Sequence, residues 1–142
     1  MRGSNVDRAQ PASLLSGVRR APLRVLCLWM LVATAGCENR VDRTARQLTG
    51  GDPQRAAALI QRYGCGSCHT IPGVAGAHAV VGPPLDRFAL RSYIAGHLNN
   101  DAGTLVQWIQ HPRRLDDRTA MPEMGVTEQD ARDIAAYLYT LR

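Results

Sequence analysis

The segment Gly64-Cys65-Gly66-Ser67-Cys68-His69 places two thiols two residues apart and an imidazole directly after the second. Thiols at that spacing can add to the two vinyl groups of one haem, forming two thioethers. The two intervening residues let a single turn reach both vinyls, and the next residue then lies under the iron. The spacing predicts one covalently bound haem c on Cys65 and Cys68, with His69 as proximal metal ligand. A zinc site would need two more ligands at comparable spacing. The other two cysteines, Cys27 and Cys37, lie in an N-terminal stretch of a different character. A thioredoxin-like pair would need a βαβ setting, which the sequence does not offer. A structural disulfide across two residues is rare.

Haem iron takes a sixth ligand or keeps an open position for chemistry. Met121, Met124, His78, His97 and His111 are the candidates downstream. Met121 stands in Thr119-Ala120-Met121-Pro122, just before the last predicted helix, where a thioether could close the far face of the haem. A loop methionine is just as ordinarily a gap-filler.

The elements that must position these residues read as helices. Asp52-Pro53 is a helix start, and Gln54 to Tyr63 continues it, with Ala57, Ile60 and Ala56 towards one face, until Gly64 stops it. Thr70 to Asp86 is rich in glycine and proline and reads as one long loop. A short helix is expected around Phe88 to Gly96, and another from about Ala102 to Gln110, ended by Pro112. Thr127 and Asp130 form an acidic variant of the capping box. They open a last helix, Glu128 to Leu141, with Ala131, Ile134, Ala135, Leu138 and Leu141 at helical spacing. Alternating strand patterns are absent, so the fold class is all-α, with one long loop that needs something to wrap around.

From about Asp52 to Arg142 the chain resembles a class I cytochrome c. The resemblance rests on Cys65-Gly66-Ser67-Cys68-His69, on Gly82-Pro83-Pro84-Leu85, on Leu105-Val106-Gln107-Trp108-Ile109 followed by Pro112, on Thr119-Ala120-Met121-Pro122, and on Ile134-Ala135-Ala136-Tyr137-Leu138. It implies about four helices around one haem. It further implies that the Pro83 carbonyl orients His69, that Met121 is the sixth ligand, and that Trp108 packs on the methionine side. Tyr93 could then reach a haem propionate, although an ordinary packing role serves it equally well, and Arg87 and Arg91 could pair with propionates, although solvated surface arginines are the commoner case. Asp116 and Asp117 read as a solvated loop, and His78 and His97 as exposed or loop histidines. With both axial positions filled, one-electron exchange is the remaining chemistry, which implies an electron carrier and not an enzyme. The segment from Met121 through Tyr139 is similar to cytochrome c domains associated with haem–copper oxidases, so a terminal oxidase is the preferred partner. The chain lacks the Cys-x-x-x-Cys copper motif of oxidase subunit II. The alternatives are a haem c subunit of a periplasmic dehydrogenase and, from another class, a haem enzyme or gas sensor with a labile Met121.

Residues 1–36 have the order of a secretory signal: Arg19, Arg20 and Arg24, then an apolar run from Val25 to Ala35, then small residues before Cys37. That run is too short to span a bilayer. Thr34-Ala35-Gly36-Cys37 resembles a bacterial lipoprotein signal, with Thr34 where an aliphatic residue is usual. The resemblance implies a lipid on Cys37 and a periplasmic, membrane-held protein. Residues 37–51 read as a linker and 52–142 as the haem domain.

The whole sequence carries a net charge of +5. Most of that excess lies within residues 1–36, which leaves the remainder near neutral and gives no reason to expect nucleic acid. Every basic residue is arginine, so mechanisms built on a lysine base or Schiff base are excluded, and no small-molecule substrate is implied. Aromatic residues are only 5% of the chain, with a single Phe. A core that thin suits a domain completed by an apolar cofactor.

Overall fold

The computed structural model describes residues 40–142; the expected signal over 1–36 and Cys37 lie outside the described residues. Within them, a helix over residues 40–49 (α1) is followed by α2 (Pro53–Arg62), a 3-10 turn at Cys65–Ser67 and a second at Phe88–Leu90. A two-stranded hairpin of β1 (Tyr93–Ile94) and β2 (Leu98–Asn99) comes next, then α3 (Ala102–Gln110), α4 (Pro112–Leu115) and α5 (Glu128–Thr140). The architecture is all-α apart from that hairpin. Among the described residues no helix is long and apolar enough to cross a membrane.

Helix α2 begins where the sequence says it should. Asp52 is extended, its carboxylate accepts the Gln54 N–H at 3.0 Å, and Pro53 occupies the first turn, where a missing N–H costs nothing. Its buried stripe is Pro53, Ala56, Leu59 and Ile60; Ala57, expected on that face, is only half-buried. Helix α5 is capped by Thr127, whose hydroxyl accepts the Asp130 N–H at 3.2 Å. It buries Ala131, Ile134, Ala135 and Leu138. The small residues let α2 and α5 come together, and among helices α2 to α5 this is the most extensive contact, with α3 against α5 next. Burying Ile134 and Leu138 stabilises by about 2 kcal/mol each.

Three expectations are corrected. Residues 40–49, expected as part of a linker, are helical. Ala45 and Thr49, one turn apart, are buried, while exposed Arg40, Arg43 and Arg46 hide the period in the sequence. The C-terminal end of α1 is tied to α5 by Arg132 Nη1, which donates to the Thr49 carbonyl at 3.0 Å. Gly51 lies so close that a Cβ there would sit 2.1 Å from the Arg132 carbonyl oxygen.

The helix expected around Phe88 to Gly96 is instead a 3-10 turn and the hairpin, which pairs Tyr93 with Asn99 and Ile94 with Leu98. Ala95 and Gly96 both take positive φ (50° and 82°), and the His97 N–H closes the turn onto the Ile94 carbonyl, so a helix cannot continue. Asn100 braces this region: its amide donates to the Phe88 and Arg91 carbonyls, and its carbonyl accepts from the Tyr139 hydroxyl on α5 at 2.9 Å. Finally, Pro112 does not simply end α3; it starts the four-residue α4, being suited to a first helical turn.

Candidate haem site

After α2 the chain passes Gly64 into the turn at Cys65–Ser67. Its bonds run from Ser67 N–H to the Gly64 carbonyl (3.0 Å), and from Cys68 N–H (3.2 Å) and His69 N–H (3.0 Å) to the Cys65 carbonyl. One turn therefore delivers both thiols and the imidazole. Cys65 and Cys68 are unpaired and half-buried, and burial pushes the Cys65 thiol up, favouring its neutral form.

The long loop folds back on that turn. Gly82 N–H donates to the Cys68 carbonyl at 2.7 Å, Leu85 N–H to the Thr70 carbonyl at 2.8 Å, and the Thr70 hydroxyl to the Ala79 carbonyl at 2.9 Å. These bonds set Pro83 over His69, whose Nδ1 lies 2.7 Å from the Pro83 carbonyl oxygen. A carbonyl can only accept, so Nδ1 carries the proton and Nε2 keeps its lone pair for a metal. Gly82 permits this approach, because a Cβ there would lie 2.5 Å from His69 Cε1.

Of the sixth-ligand candidates, Met121 is half-buried and packs against the core cluster that also receives Cys65 and Leu85 and contains Trp108. Its N–H donates to the Thr119 hydroxyl at 3.2 Å, which fixes the loop at that residue. Met124 is 38% exposed, with its methyl 3.9 Å from where a Gly64 Cβ would stand. His111 faces Glu123, Nδ1 to Oε2 at 3.2 Å. His97 lies 3.9 Å from Asp116, and His78 is exposed. Arg91 donates to the Pro84 (2.5 Å) and Asp86 (2.8 Å) carbonyls and stacks 5.4 Å over the Phe88 ring, so it braces the loop. Arg87 and Tyr93 are exposed. Asp116 is not simply solvated, since its carboxylate accepts the Arg118 N–H at 3.0 Å; Asp117 is exposed.

Sequence reasoning missed one group beside the site. Tyr63, two residues before Cys65, donates to Asp130 on α5 at 2.7 Å. That bond holds the Asp130 carboxyl below its usual range, helped by Thr127, Arg62 and Arg55. Arg55 also lies 3.3 Å from fully buried Asp133, whose other oxygen accepts the Asp52 N–H at 2.7 Å. Asp130 and Asp133 stand among other polar residues at the start of α5, and their partners Tyr63, Asp52 and Arg55 lie far away in sequence.

The cytochrome c family model matches residues 53–142, most of the described chain. The chain belongs to the cytochrome c family. It is also 32% identical over 85 residues to cytochrome c oxidase subunit 2 of Alkalihalophilus pseudofirmus, a stretch covering 59% of this chain and 24% of that protein. The chain thus matches only about a quarter of that relative's length. No solved structure gives a significant match. A cytochrome c carries haem c covalently, and the residues present fit that group. Two unpaired thiols share one turn, an imidazole is oriented with Nε2 free, and a half-buried thioether sits on the same apolar cluster as Cys65.

Proposed function

We propose that this chain is an exported monohaem electron carrier. Cys65 and Cys68 would hold the haem through thioethers, and His69 and Met121 would fill its axial positions. Bound there, the haem supplies reversible one-electron redox chemistry. The protein's own residues do the rest: Pro83 and Gly82 fix the imidazole, Thr119 fixes the Met121 loop, and Trp108 and Leu85 contribute to the apolar packing that also receives Cys65 and Met121. The observation that carries the reading is the proton held between His69 Nδ1 and the Pro83 carbonyl. It leaves the imidazole in the tautomer that binds a metal, and a ring so held stays a strong donor.

With His69 and Met121 both held by the haem, no position would be left for a substrate, so the chain would transfer electrons and perform no substrate chemistry. The export-type N-terminus and the residues around Cys37 support a periplasmic protein held to the membrane by a lipid on Cys37. Similarity to an oxidase subunit 2 supports a haem–copper oxidase as acceptor. A permanent place in a periplasmic dehydrogenase is the second reading; co-purification in mild detergent separates the two. The test of the carrier reading is the purified holoprotein. It is expected to show reversible one-electron reduction and, when reduced, no binding of carbon monoxide. Binding by the native reduced protein would instead favour a sensor or enzyme with a labile Met121. Intact mass is expected to show an acylated Cys37 as the mature N-terminus, and a bare chain would reject the anchor.

A further inference from the structure

A cavity of about 650 Å³ lies between α1, α3, α4 and α5. Its walls include Leu48, Val106, Gln107, Gln110, Arg114 and Arg132, and none of Cys65, Cys68, His69 or Met121. Glu128 also borders it, but that carboxylate accepts from Arg132 at 2.6 Å, and Arg132 is further tied to the Thr49 carbonyl at 3.0 Å. Arg114 is exposed and forms no ion pair among the described residues, so the cavity keeps one uncompensated guanidinium. Beside it Leu48 leaves 56% of its surface in water.

The α1 wall lies outside residues 53–142, which match the family, so this cavity is built partly from what the family fold does not supply. Arg40, Thr44 and Leu48 are spaced four apart and all exposed, so they form one stripe along α1 that ends at the cavity. Arg40 and the exposed Arg43 also lack an ion pair among the described residues. Only Glu38 and Asn39 separate this stripe from Cys37, the expected lipid-bearing residue.

A guanidinium fork matches phosphate oxygens, the Gln107 amide adds a neutral donor, and Leu48 and Val106 offer apolar surface beside them. That combination suits a ligand with an anionic head joined to an apolar tail. The volume falls in the range of pockets for small organic groups. We infer that this cavity, with the Arg40 and Arg43 side of α1, takes the headgroup of an anionic phospholipid. The headgroup phosphate meets Arg114, the glycerol end faces Gln107, and the first methylenes lie on Leu48. The inference rests on the membrane-held reading and names the face that such a protein turns to the bilayer.

The test uses the full holoprotein on vesicles of phosphatidylcholine alone or with one-third phosphatidylglycerol. Leu48→Cys carries a nitroxide label, and its relaxation by an aqueous nickel chelate reads its exposure to water. An arginine near an anionic surface is worth about fivefold in binding, so relaxation should fall about fivefold or more when phosphatidylglycerol is present. Arg40→Gln/Arg43→Gln/Arg114→Gln should return it to the phosphatidylcholine value and leave the reduction potential unchanged. A label at Tyr93→Cys, a site on the hairpin as exposed as Leu48, should respond to neither change. Equal relaxation at Leu48→Cys in the two vesicles overturns the headgroup site and leaves the anchor standing. Protection that millimolar inorganic phosphate removes assigns the cavity to a soluble anion and overturns the lipid. Protection already present without vesicles, with a stable dimer in sedimentation, assigns the face to a second copy and overturns it as well. An intact mass without an acyl group rejects the anchor alone: a bare chain that sediments only with the phosphatidylglycerol vesicles keeps the headgroup site, and one that sediments with neither overturns both.

Discussion

His69 donates its Nδ1 proton to the carbonyl of Pro83 across 2.7 Å, and Gly82, one residue earlier, packs its backbone against the same ring. The pair fixes the tautomer, the ring plane and the donor strength of the imidazole together. Gly82→Ala puts a methyl 2.5 Å from His69 Cε1, so the loop must lift and the hydrogen bond must lengthen. The expected result is a loss of about 1–3 kcal/mol of stability, as for overpacking elsewhere. The reduction potential should also rise, because a less electron-rich imidazole favours the ferrous state. Redox titration with denaturant unfolding checks both, and a potential equal to the parent's would deny the ring a tuning role.

The two methionines separate cleanly. Met121→Ala is expected to abolish the weak iron–sulfur charge-transfer band of the oxidised protein, and Met124→Leu to leave it intact. Met121 packs on the cluster that contains Trp108, whereas Met124 lies out beside Gly64. The opposite pattern would move the ligand to Met124.

Acid stability should depend on Tyr63. Its hydroxyl holds the Asp130 carboxyl below its usual range, so the folded chain gives up that proton more readily than the unfolded chain. The resulting stability is complete above the unfolded pKa and is lost as pH falls through the folded one. Tyr63→Phe should cost about 1.5–3 kcal/mol near neutrality and narrow the difference between neutral and acid midpoints. Urea unfolding across acid pH measures it.

At the alkaline end the group is Tyr139. Burial, with a smaller contribution from the Asp101 charge, pushes its phenol up to about 12. The neutral form is favoured in the fold, so its contribution is complete below the unfolded pKa of about 10. It is lost as pH rises towards 12. Tyr139→Phe should flatten that alkaline loss, although it also removes the bond to Asn100. An alkaline limb as steep as the parent's would contradict the assignment.

Asp133 is fully buried between the Asp52 N–H, the Gln129 amide and Arg55. Asp133→Ala leaves a buried donor and an arginine without their acceptor, and is expected to cost about 3 kcal/mol. Asp133→Asn, which keeps one acceptor oxygen, should cost less. Thermal unfolding of the two holoproteins orders them.

Much of the local geometry of the candidate site was legible because the residues that set it are close in sequence. Cys65, Cys68 and His69 fall within one turn, Asp52 and Thr127 cap helices a few residues away, and Pro83 and Met121 stand in recognisable short settings. What escaped depends on distant partners. Helix α1 is fixed by Arg132, more than eighty positions away, and its three exposed arginines masked the buried pair Ala45 and Thr49. The hairpin replaced a helix because Ala95 takes a positive φ, which a non-glycine residue does not advertise. Arg91, which suited an anionic propionate by type, is already committed to two carbonyls of the loop.

The docking of α1 onto α5 bears on how such a protein would search for partners. Residue 40 already belongs to a helix tied to the domain, so a lipid on Cys37 would be separated from the folded body by only about 11 Å of chain at full stretch. A domain on so short a leash cannot roam the aqueous space. It would drift with the bilayer, keep one flank towards the headgroups, and meet partners sideways in two dimensions. Gly51→Ala, by prising α1 off α5, would lengthen the leash without touching the haem residues.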